Sequence, residues 1–224
     1  HALTLAFASG TCGSESWGGV PGQAFADANI GALDAAGIDY IVSTGGQAGS
    51  FNCSSPSGMT TFINRYMSSH MIGVDFDIEG GQTPAQINAL VSQVAYAESI
   101  YPNLRFSFTL ATLAASDGSH GGVNSLGAMV VNAVKNANLS NYTINLMVMD
   151  YGAAGPGVCV VSNGSCEMGQ SAIQAAENLE AVFGIPASRI ELTPMIGVND
   201  VSSELFTVQD VNTMVDYAIT VKPA

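Results

Sequence analysis

The sequence predicts an α/β fold with a parallel sheet, because short strand-like runs alternate with stretches of helical character. Six apolar runs rich in β-branched or aromatic residues recur along the chain, at a spacing of roughly 30–45 residues that matches a strand–helix unit. Most of the runs are almost continuously apolar, as expected for parallel strands that helices cover on both faces. They span residues 3–9, 39–44, 71–79, 104–111, 144–150 and 190–198.

Two of the intervening stretches carry clear helix signals. Thr83 predicts an N-cap, since Pro84 follows at the first helical position and Gln86 completes a capping box. Apolar residues then recur at helical spacing until residues 101–102 (YP) end the helix. A second helix is predicted after Thr207, where an apolar stripe consists of Val211, Met214, Val215, Ala218 and Ile219.

Polar, glycine-rich loops follow most of the predicted strands, at residues 9–22, 45–57, 79–82, 111–124 and 150–169. A TIM barrel carries its active site on the loops that follow its strands, so we expect function here. No linker interrupts the chain, and residues 1–224 are predicted to form a single domain with a sizeable core.

The charge balance excludes several classes of partner. The formal net charge is −13, with 5 Lys and Arg residues, which argues against binding to nucleic acid or to anionic membranes. No apolar run reaches the roughly 18 residues that a membrane span needs. A neutral polymer such as a polysaccharide is compatible with this composition.

The cysteines predict disulfides and not a zinc site, because no pair has CxxC spacing. Cys159 and Cys166 bracket a polar loop, while Cys12 and Cys53 each lie in a loop just after a predicted strand. The pairs Cys12–Cys53 and Cys159–Cys166 are the economical choice among the three possible pairings, and they rest on loop position alone. Disulfides imply an oxidising compartment and therefore a secreted protein.

Residues 73–79 (GVDFDIE) place three carboxylates in an apolar run. On a β-strand Asp75, Asp77 and Glu79 share one face, while the apolar residues between them share the other. Like charges this close raise at least one pKa, and a carboxyl that stays protonated near neutral pH suits a general acid. A calcium or magnesium site is the structural alternative, but such sites favour Gly and Asn between the ligands. We therefore favour catalysis and predict no metal.

Four segments, in this order along the chain, resemble motifs of glycoside hydrolase family 18, the chitinase family. Residues 43–46 (STGG) resemble the SxGG motif of the third barrel strand, and residues 73–79 resemble the DGxDxDxE motif of the fourth. Residues 147–152 (MVMDYG) are similar to the bacterial form of the MxYD motif of the sixth strand, and residues 193–200 (TPMIGVND) to the seventh-strand segment. The resemblance covers nearly the whole chain.

The resemblance implies a substrate-assisted retaining mechanism, one of the known exceptions to the scheme with two carboxylates. It implies that Glu79 is the general acid and then the base, and that Asp77 stabilises the substrate's acetamido group. Asp75 shares a proton with Asp77 in this scheme. Asp150 helps to orient the acetamido group, unless it is a buried structural carboxylate.

The family's acetamido-binding tyrosine aligns with Met149, and Tyr151 stands two residues further on. Since residues i and i+2 of a strand share a face, Tyr151 reaches the site if the strand continues. The other candidate substrate contacts are Trp17, Gly45, Gly46, Met147, Met149, Met195 and Asn199.

Each of these contacts has a structural alternative. Trp17 either stacks on a sugar or covers the core, and Gly45 and Gly46 also suit a tight turn. The three methionines are more often core residues than contacts, and we favour core.

The resemblance implies a TIM (β/α)8-type barrel that lacks the family's first and eighth strands and keeps about six βα units. The first predicted strand resembles the family's second, and the last resembles its seventh. The family's eighth strand carries a tryptophan that floors the cleavage subsite, and Trp17 lies too early in the chain to replace it. Six strands leave two apolar edges. Either the chain is a fragment, or the sheet closes differently, or a partner completes it.

The leading hypothesis is a secreted endo-chitinase that binds chitin or N-acetylglucosamine oligosaccharides and needs no cofactor. It is expected to be a monomer unless a second chain completes the barrel. Two alternatives stay open: an endo-β-N-acetylglucosaminidase that acts on glycoproteins, and a non-catalytic chitin-binding or lectin-like relative.

Overall fold

A parallel sheet of six long strands with flanking helices forms the centre of the fold in the computed structural model, which describes residues 2–221. The strands are paired in chain order, which confirms the predicted α/β alternation. A short strand, Gly122–Val123, pairs antiparallel with the fourth. The six strands are β1 (Leu3–Ala8), β2 (Tyr40–Gly45), β3 (Met71–Ile78), β4 (Arg105–Leu113), β5 (Tyr142–Met147) and β6 (Ile190–Thr193).

One helix follows each of the six long strands along the chain, and the best-predicted one begins as expected. The Thr83 hydroxyl accepts from the Gln86 N–H, and the Gln86 side chain accepts from the Thr83 N–H, which is the predicted capping box. None of the helices within residues 2–221 is long and apolar enough to cross a bilayer. They are α1 (Gly22–Ala35), α2 (Pro56–Tyr66), α3 (Pro84–Ile100), α4 (Ser125–Asn136), α5 (Met168–Phe183) and α6 (Val208–Val221).

Two predicted strands are shorter than the apolar runs suggested. The run at residues 190–198 ends as a sheet strand at Thr193, because Pro194 has no N–H for the ladder. Its last part, Gly197–Val198, instead pairs antiparallel with Leu205–Phe206. The run at residues 144–150 begins earlier, at Tyr142, and ends at Met147.

The chain forms two compact units. One comprises the residues up to 109 together with 129–143, and the other comprises 110–128 together with 144 onwards. The single domain over residues 1–224 stays a prediction.

In the first unit an aromatic core packs around β3. The ring of Phe76 stacks on that of Phe108 with centroids 5.5 Å apart, and Phe51 lies 4.8 Å from Phe62 of α2. The Cys12–Cys53 disulfide joins the loops that follow β1 and β2. These two loops also pair in parallel as the short strands Gly10–Thr11 and Phe51–Asn52.

The second unit contains the parallel pair of β5 and β6, in which Ile144 lies opposite Ile190 and Met147 opposite Thr193. The Cys159–Cys166 disulfide closes a small hairpin just before α5. Both disulfides predicted from the loop positions are therefore present.

Candidate active site

The three carboxylates of residues 73–79 lie at the end of β3, in the first unit. Asp75 and Asp77 are buried strand residues with exposed fractions of 7% and 6%. Glu79 follows directly after the strand and is half-buried. The alternate residues Val74 and Phe76 are fully buried, so the apolar positions pack in the core as the strand periodicity predicts.

Three hydroxyl groups hold the carboxylate of Asp75. The Ser43 hydroxyl donates to Oδ2 at 2.7 Å, while Ser107 and Thr109 donate to Oδ1 at 2.6 and 2.7 Å. Ser43 lies directly opposite Asp75 in the β2–β3 ladder, and the other two stand two residues apart on β4. Hydrogen bonds to a carboxylate are among the stronger ones, so Asp75 has a fixed orientation.

Sequence reasoning missed Ser107 and Thr109 as part of this site. The signal was present, because both are polar residues at alternate positions of the strand-like run at residues 104–111. Nothing in the sequence alone says that β4 lies beside β3 in this register. The proton shared between Asp75 and Asp77 stays a prediction.

Asp77 differs from Asp75 in its surroundings. Within residues 2–221, its buried Oδ1 has no hydrogen-bond partner. Burial, and then the charges of Glu79 and Asp75, raise the pKa of Asp77 to about 8. Asp77 is therefore a mostly neutral carboxylic acid at neutral pH.

Burial also raises the pKa of Glu79, although this side chain is more accessible than the two aspartates. A carboxyl with a raised pKa and access to solvent can carry a proton to a bound molecule and later take one back. This combination suits the predicted general acid.

Gly45 and Gly46 allow the end of β2 to approach Asp77 closely. Gly45 has φ +88°, and a Cβ there would lie 2.0 Å from the Asp77 carbonyl oxygen. The Gly46 N–H donates to the same oxygen at 3.2 Å. The glycines are therefore required by the backbone, and their contact with a substrate stays a prediction.

Trp17 is a core residue, which corrects its assignment as a sugar contact. Its exposed fraction is 7%, and its ring stacks on Phe25 with centroids 3.8 Å apart. The indole N–H donates to the Tyr66 hydroxyl at 2.8 Å. A ring covered in this way offers no free face to a sugar.

In the second unit, Asp150 lies three residues beyond β5 in a left-handed conformation, with φ +51°. Its Oδ1 accepts from the Val201 N–H at 2.8 Å, and its own N–H donates to Asn199 Oδ1 at 3.3 Å. The side chain is half-buried. Its role towards a substrate stays a prediction.

Tyr151 does not lie on a strand, so the condition under which it would share a strand face with Met149 is not met, and its catalytic role stays a prediction. β5 ends at Met147, and the side chain of Tyr151 is 5% exposed. Its hydroxyl is buried and has no hydrogen-bond partner within the described residues. Burial, and then the charge of Glu204, raise the pKa of Tyr151.

Asn199 is also a structural residue, which corrects its assignment as a substrate contact. The side chain is 4% exposed, and its Nδ2 donates to the carbonyl oxygens of Met195 and Gly197 at 2.8 and 3.3 Å. With Oδ1 accepting from Asp150, the amide is occupied by backbone groups. The predicted contacts Met147, Met149 and Met195 are half-buried, which fits either of their two roles.

Glu204 is a buried carboxylate that sequence reasoning missed. It is 2% exposed; its Oε2 accepts from the Tyr151 N–H at 3.1 Å, and its Oε1 accepts from the Gly152 N–H at 2.9 Å. Burial raises the pKa of Glu204, and the two N–H groups oppose that rise. No motif or spacing marked this residue, because its partners lie 52 and 53 residues earlier in the chain.

A parallel β/α sheet of this kind is shared with solved structures of chitinase-related proteins, at low sequence identity. The C-terminal domain of ChiA from Legionella pneumophila is 19% identical, with a TM-score of 0.59 over 98% of this chain and 76% of that one. The xylanase–α-amylase inhibitor protein XAIP-I, solved with trehalose, is 14% identical, with a TM-score of 0.58 over 98% of this chain and 79% of that one. At such identities the likeness defines the fold and not the activity.

The chitinase Chi1 of the Yersinia entomophaga toxin complex is 15% identical, with a TM-score of 0.46 over 68% of this chain. The match covers 32% of Chi1, so this chain spans about a third of that protein. No protein-family model matches the sequence, and no curated protein matches it significantly.

Proposed function

We propose that this protein is an endo-chitinase that hydrolyses β-1,4 linkages between N-acetylglucosamine units by the substrate-assisted retaining mechanism of glycoside hydrolase family 18. The observation that carries the proposal is the pairing of Glu79 with Asp77. Glu79 is a half-buried acid with a raised pKa, and Asp77 is a buried acid whose pKa is raised to about 8. Two such carboxyl groups in different surroundings suit two different roles.

In the first step Glu79 gives its proton to the glycosidic oxygen while the bond between C1 and that oxygen breaks. The acetamido carbonyl oxygen of the same sugar forms a bond to C1, and an oxazolinium ion results. The substrate thus supplies its own nucleophile, and the protein needs no second carboxylate for this role.

In the second step a water molecule attacks C1 and gives its proton to the Glu79 carboxylate. The bond between C1 and the acetamido oxygen breaks, which restores the acid and retains the configuration at C1. Glu79 therefore acts as acid and then as base.

Asp77 stabilises the positive charge of the oxazolinium ion and accepts a hydrogen bond from the acetamido N–H. A nearby positive charge lowers the pKa of a carboxyl group, so Asp77 ionises as the intermediate forms. Asp75, which three hydroxyl groups hold in place, accepts the proton that Asp77 releases. Asp150 orients the acetamido group in this proposal.

The two disulfides fit a protein that works in an oxidising, extracellular compartment, where its substrate is a chitin chain or an N-acetylglucosamine oligosaccharide. Secretion is part of the proposal.

A comparison of acetylated and fully deacetylated chitin oligomers tests the mechanism. The acetylated oligomer should be cleaved, with the β-anomer appearing first in proton NMR spectra. The deacetylated oligomer should remain intact, because its nucleophile is missing. Efficient cleavage of the deacetylated oligomer, or first appearance of the α-anomer, would contradict the proposal.

A non-catalytic carbohydrate-binding protein is the second candidate, because XAIP-I has a similar fold and is by name an inhibitor. The presence of Glu79 with a raised pKa favours the enzyme. Binding of the acetylated oligomer without any release of shorter sugars would favour the second candidate.

A further inference from the structure

We propose that Glu204 is a positioning residue, which holds the backbone of residues 150–152 and thereby orients Asp150 for catalysis. The inference rests on the proposed hydrolysis for its effect on turnover, while the hydrogen bonds that carry it belong to the second unit alone. Glu204 acts through this backbone and not by touching the substrate.

Both oxygens of the Glu204 carboxylate are used, and each accepts one backbone N–H. The donors are the consecutive groups of Tyr151 and Gly152, at 3.1 and 2.9 Å. A glutamine at this position offers a single acceptor oxygen, so it could satisfy one of the two donors. A carboxylate is therefore the side chain that fits both donors, even though its burial is costly.

The backbone that Glu204 holds is a conformation that needs support. Asp150 has φ +51° and Gly152 has φ +92°, so two positions of this short segment are left-handed. A residue other than glycine adopts such an angle at a cost, and it stays there only when its surroundings fix it. The two N–H groups that donate to Glu204 belong to Tyr151, which lies between these positions, and to Gly152 itself.

The backbone of Glu204 is in turn held by residues 199–201, which also bond to Asp150. The Glu204 N–H donates to the Val201 carbonyl at 2.8 Å, and the Asn199 N–H donates to the Glu204 carbonyl at 3.0 Å. Val201 donates its N–H to Asp150 Oδ1, and Asn199 accepts from the Asp150 N–H. Residues 199–204 and 150–152 are thus joined by a network of hydrogen bonds, and the carboxylate of Asp150 is part of that network.

The experiment compares Glu204→Gln with Asp210→Asn as a matched control. Asp210 is a carboxylate of the same unit that also accepts backbone N–H groups, those of Gly169 and Thr207 at 2.9 and 2.8 Å. It holds a different segment, so its loss should lower stability without moving residues 150–152.

For Glu204→Gln we expect faster amide hydrogen exchange at Tyr151 and Gly152, by about tenfold, which is the effect of losing roughly one hydrogen bond. The kcat for an acetylated chitin oligomer should fall by about 100-fold, because Asp150 would be displaced from its position in the site. The KM should change little. Asp210→Asn should lower Tm but leave kcat and exchange at these two amides unchanged. Glu204→Asp, which keeps both oxygens on a shorter side chain, should retain more of the protection and more of the kcat.

Unchanged exchange at Tyr151 and Gly152 in Glu204→Gln would overturn the inference, whether or not the protein is a hydrolase. An equal loss of kcat in Asp210→Asn would also overturn it, because the effect would then be general destabilisation. A wild-type protein that cleaves no oligomer would overturn the proposed function, while the exchange rates would still decide whether Glu204 holds this backbone.

Discussion

Asp75 and Asp77 stand two residues apart on one strand, yet they have different hydrogen-bond environments. Asp75 accepts from three hydroxyl groups, and Asp77 keeps a buried oxygen without a partner among the described residues. Three donors stabilise an ionised carboxylate, whereas burial without donors favours the protonated form. The two residues can therefore take different roles, although both are aspartates at alternate positions of the same strand.

Replacement of Asp77 by asparagine should change how stability depends on pH. The pKa of Asp77 rises from 3.8 to about 8 on folding, so its protonated form contributes stability that is full below pH 3.8 and is lost as the pH rises towards 8. Asp77→Asn cannot ionise, so its stability should fall less between about pH 5 and pH 9 than that of the wild type. Urea unfolding at both pH values measures this difference. A larger fall in the variant would contradict the assigned direction.

At the scale of the elements, the sequence predicts the sheet well because apolar runs and strand ends depend on local chemistry. The capping box at Thr83 and a strand over most of residues 71–79 are both confirmed. The prediction fails where a run of apolar residues contains a breaker, as at Pro194, which lacks the N–H that a ladder requires.

The site is less predictable than the strands that carry it. The hydroxyl groups that hold Asp75 and the carboxylate of Glu204 act across gaps of more than 30 residues, so only the tertiary fold brings them to their partners. Trp17 and Asn199 are residues that the sequence suggested for the site but that the tertiary fold places elsewhere. Their residue types suit sugar binding, but the fold uses their polar groups and rings inside the protein.

The close approach of β2 to β3 predicts that Gly45→Ala is strongly destabilising. The added methyl group would lie 2.0 Å from the Asp77 carbonyl oxygen, and the residue would have to keep φ +88°. We expect a loss of more than about 1 kcal/mol in the free energy of unfolding, with a lower Tm.

The matched control is Gly31→Ala in α1, where a Cβ would meet nothing within 4 Å. In a helix this change should be neutral or stabilising by up to about 1 kcal/mol. Equal effects of the two substitutions on Tm would contradict the role assigned to Gly45.

At the scale of the whole molecule, the six long strands of residues 2–221 follow one another in the sheet, with β1 and β6 as the end strands. Leu3 and Phe7 of β1 are exposed, with exposed fractions of 50% and 41%. Completion of the sheet by a partner or by further chain stays a prediction.

The disulfides give a direct test of how the loops contribute to stability. The two disulfides should differ in their effect on stability. The Cys12–Cys53 bond spans 41 residues and the Cys159–Cys166 bond spans 7, so the first removes more freedom from the unfolded chain. Replacing both cysteines of a pair by serine should cost about 4 kcal/mol for the first and about 2.5 kcal/mol for the second. Urea unfolding of the two double variants measures the difference, and a larger loss for the second pair would contradict it.

The most direct test of the proposed function is the turnover of an acetylated chitin oligomer by Glu79→Gln. Glutamine keeps the size of the side chain but cannot donate the proton, so kcat should fall by about 100-fold or more, while the oligomer still binds with nearly the wild-type Kd. Glu177→Gln, a change of the same kind at an exposed position of α5, should leave kcat unchanged. Turnover by Glu79→Gln close to that of the wild type would contradict the assignment of Glu79 as the acid.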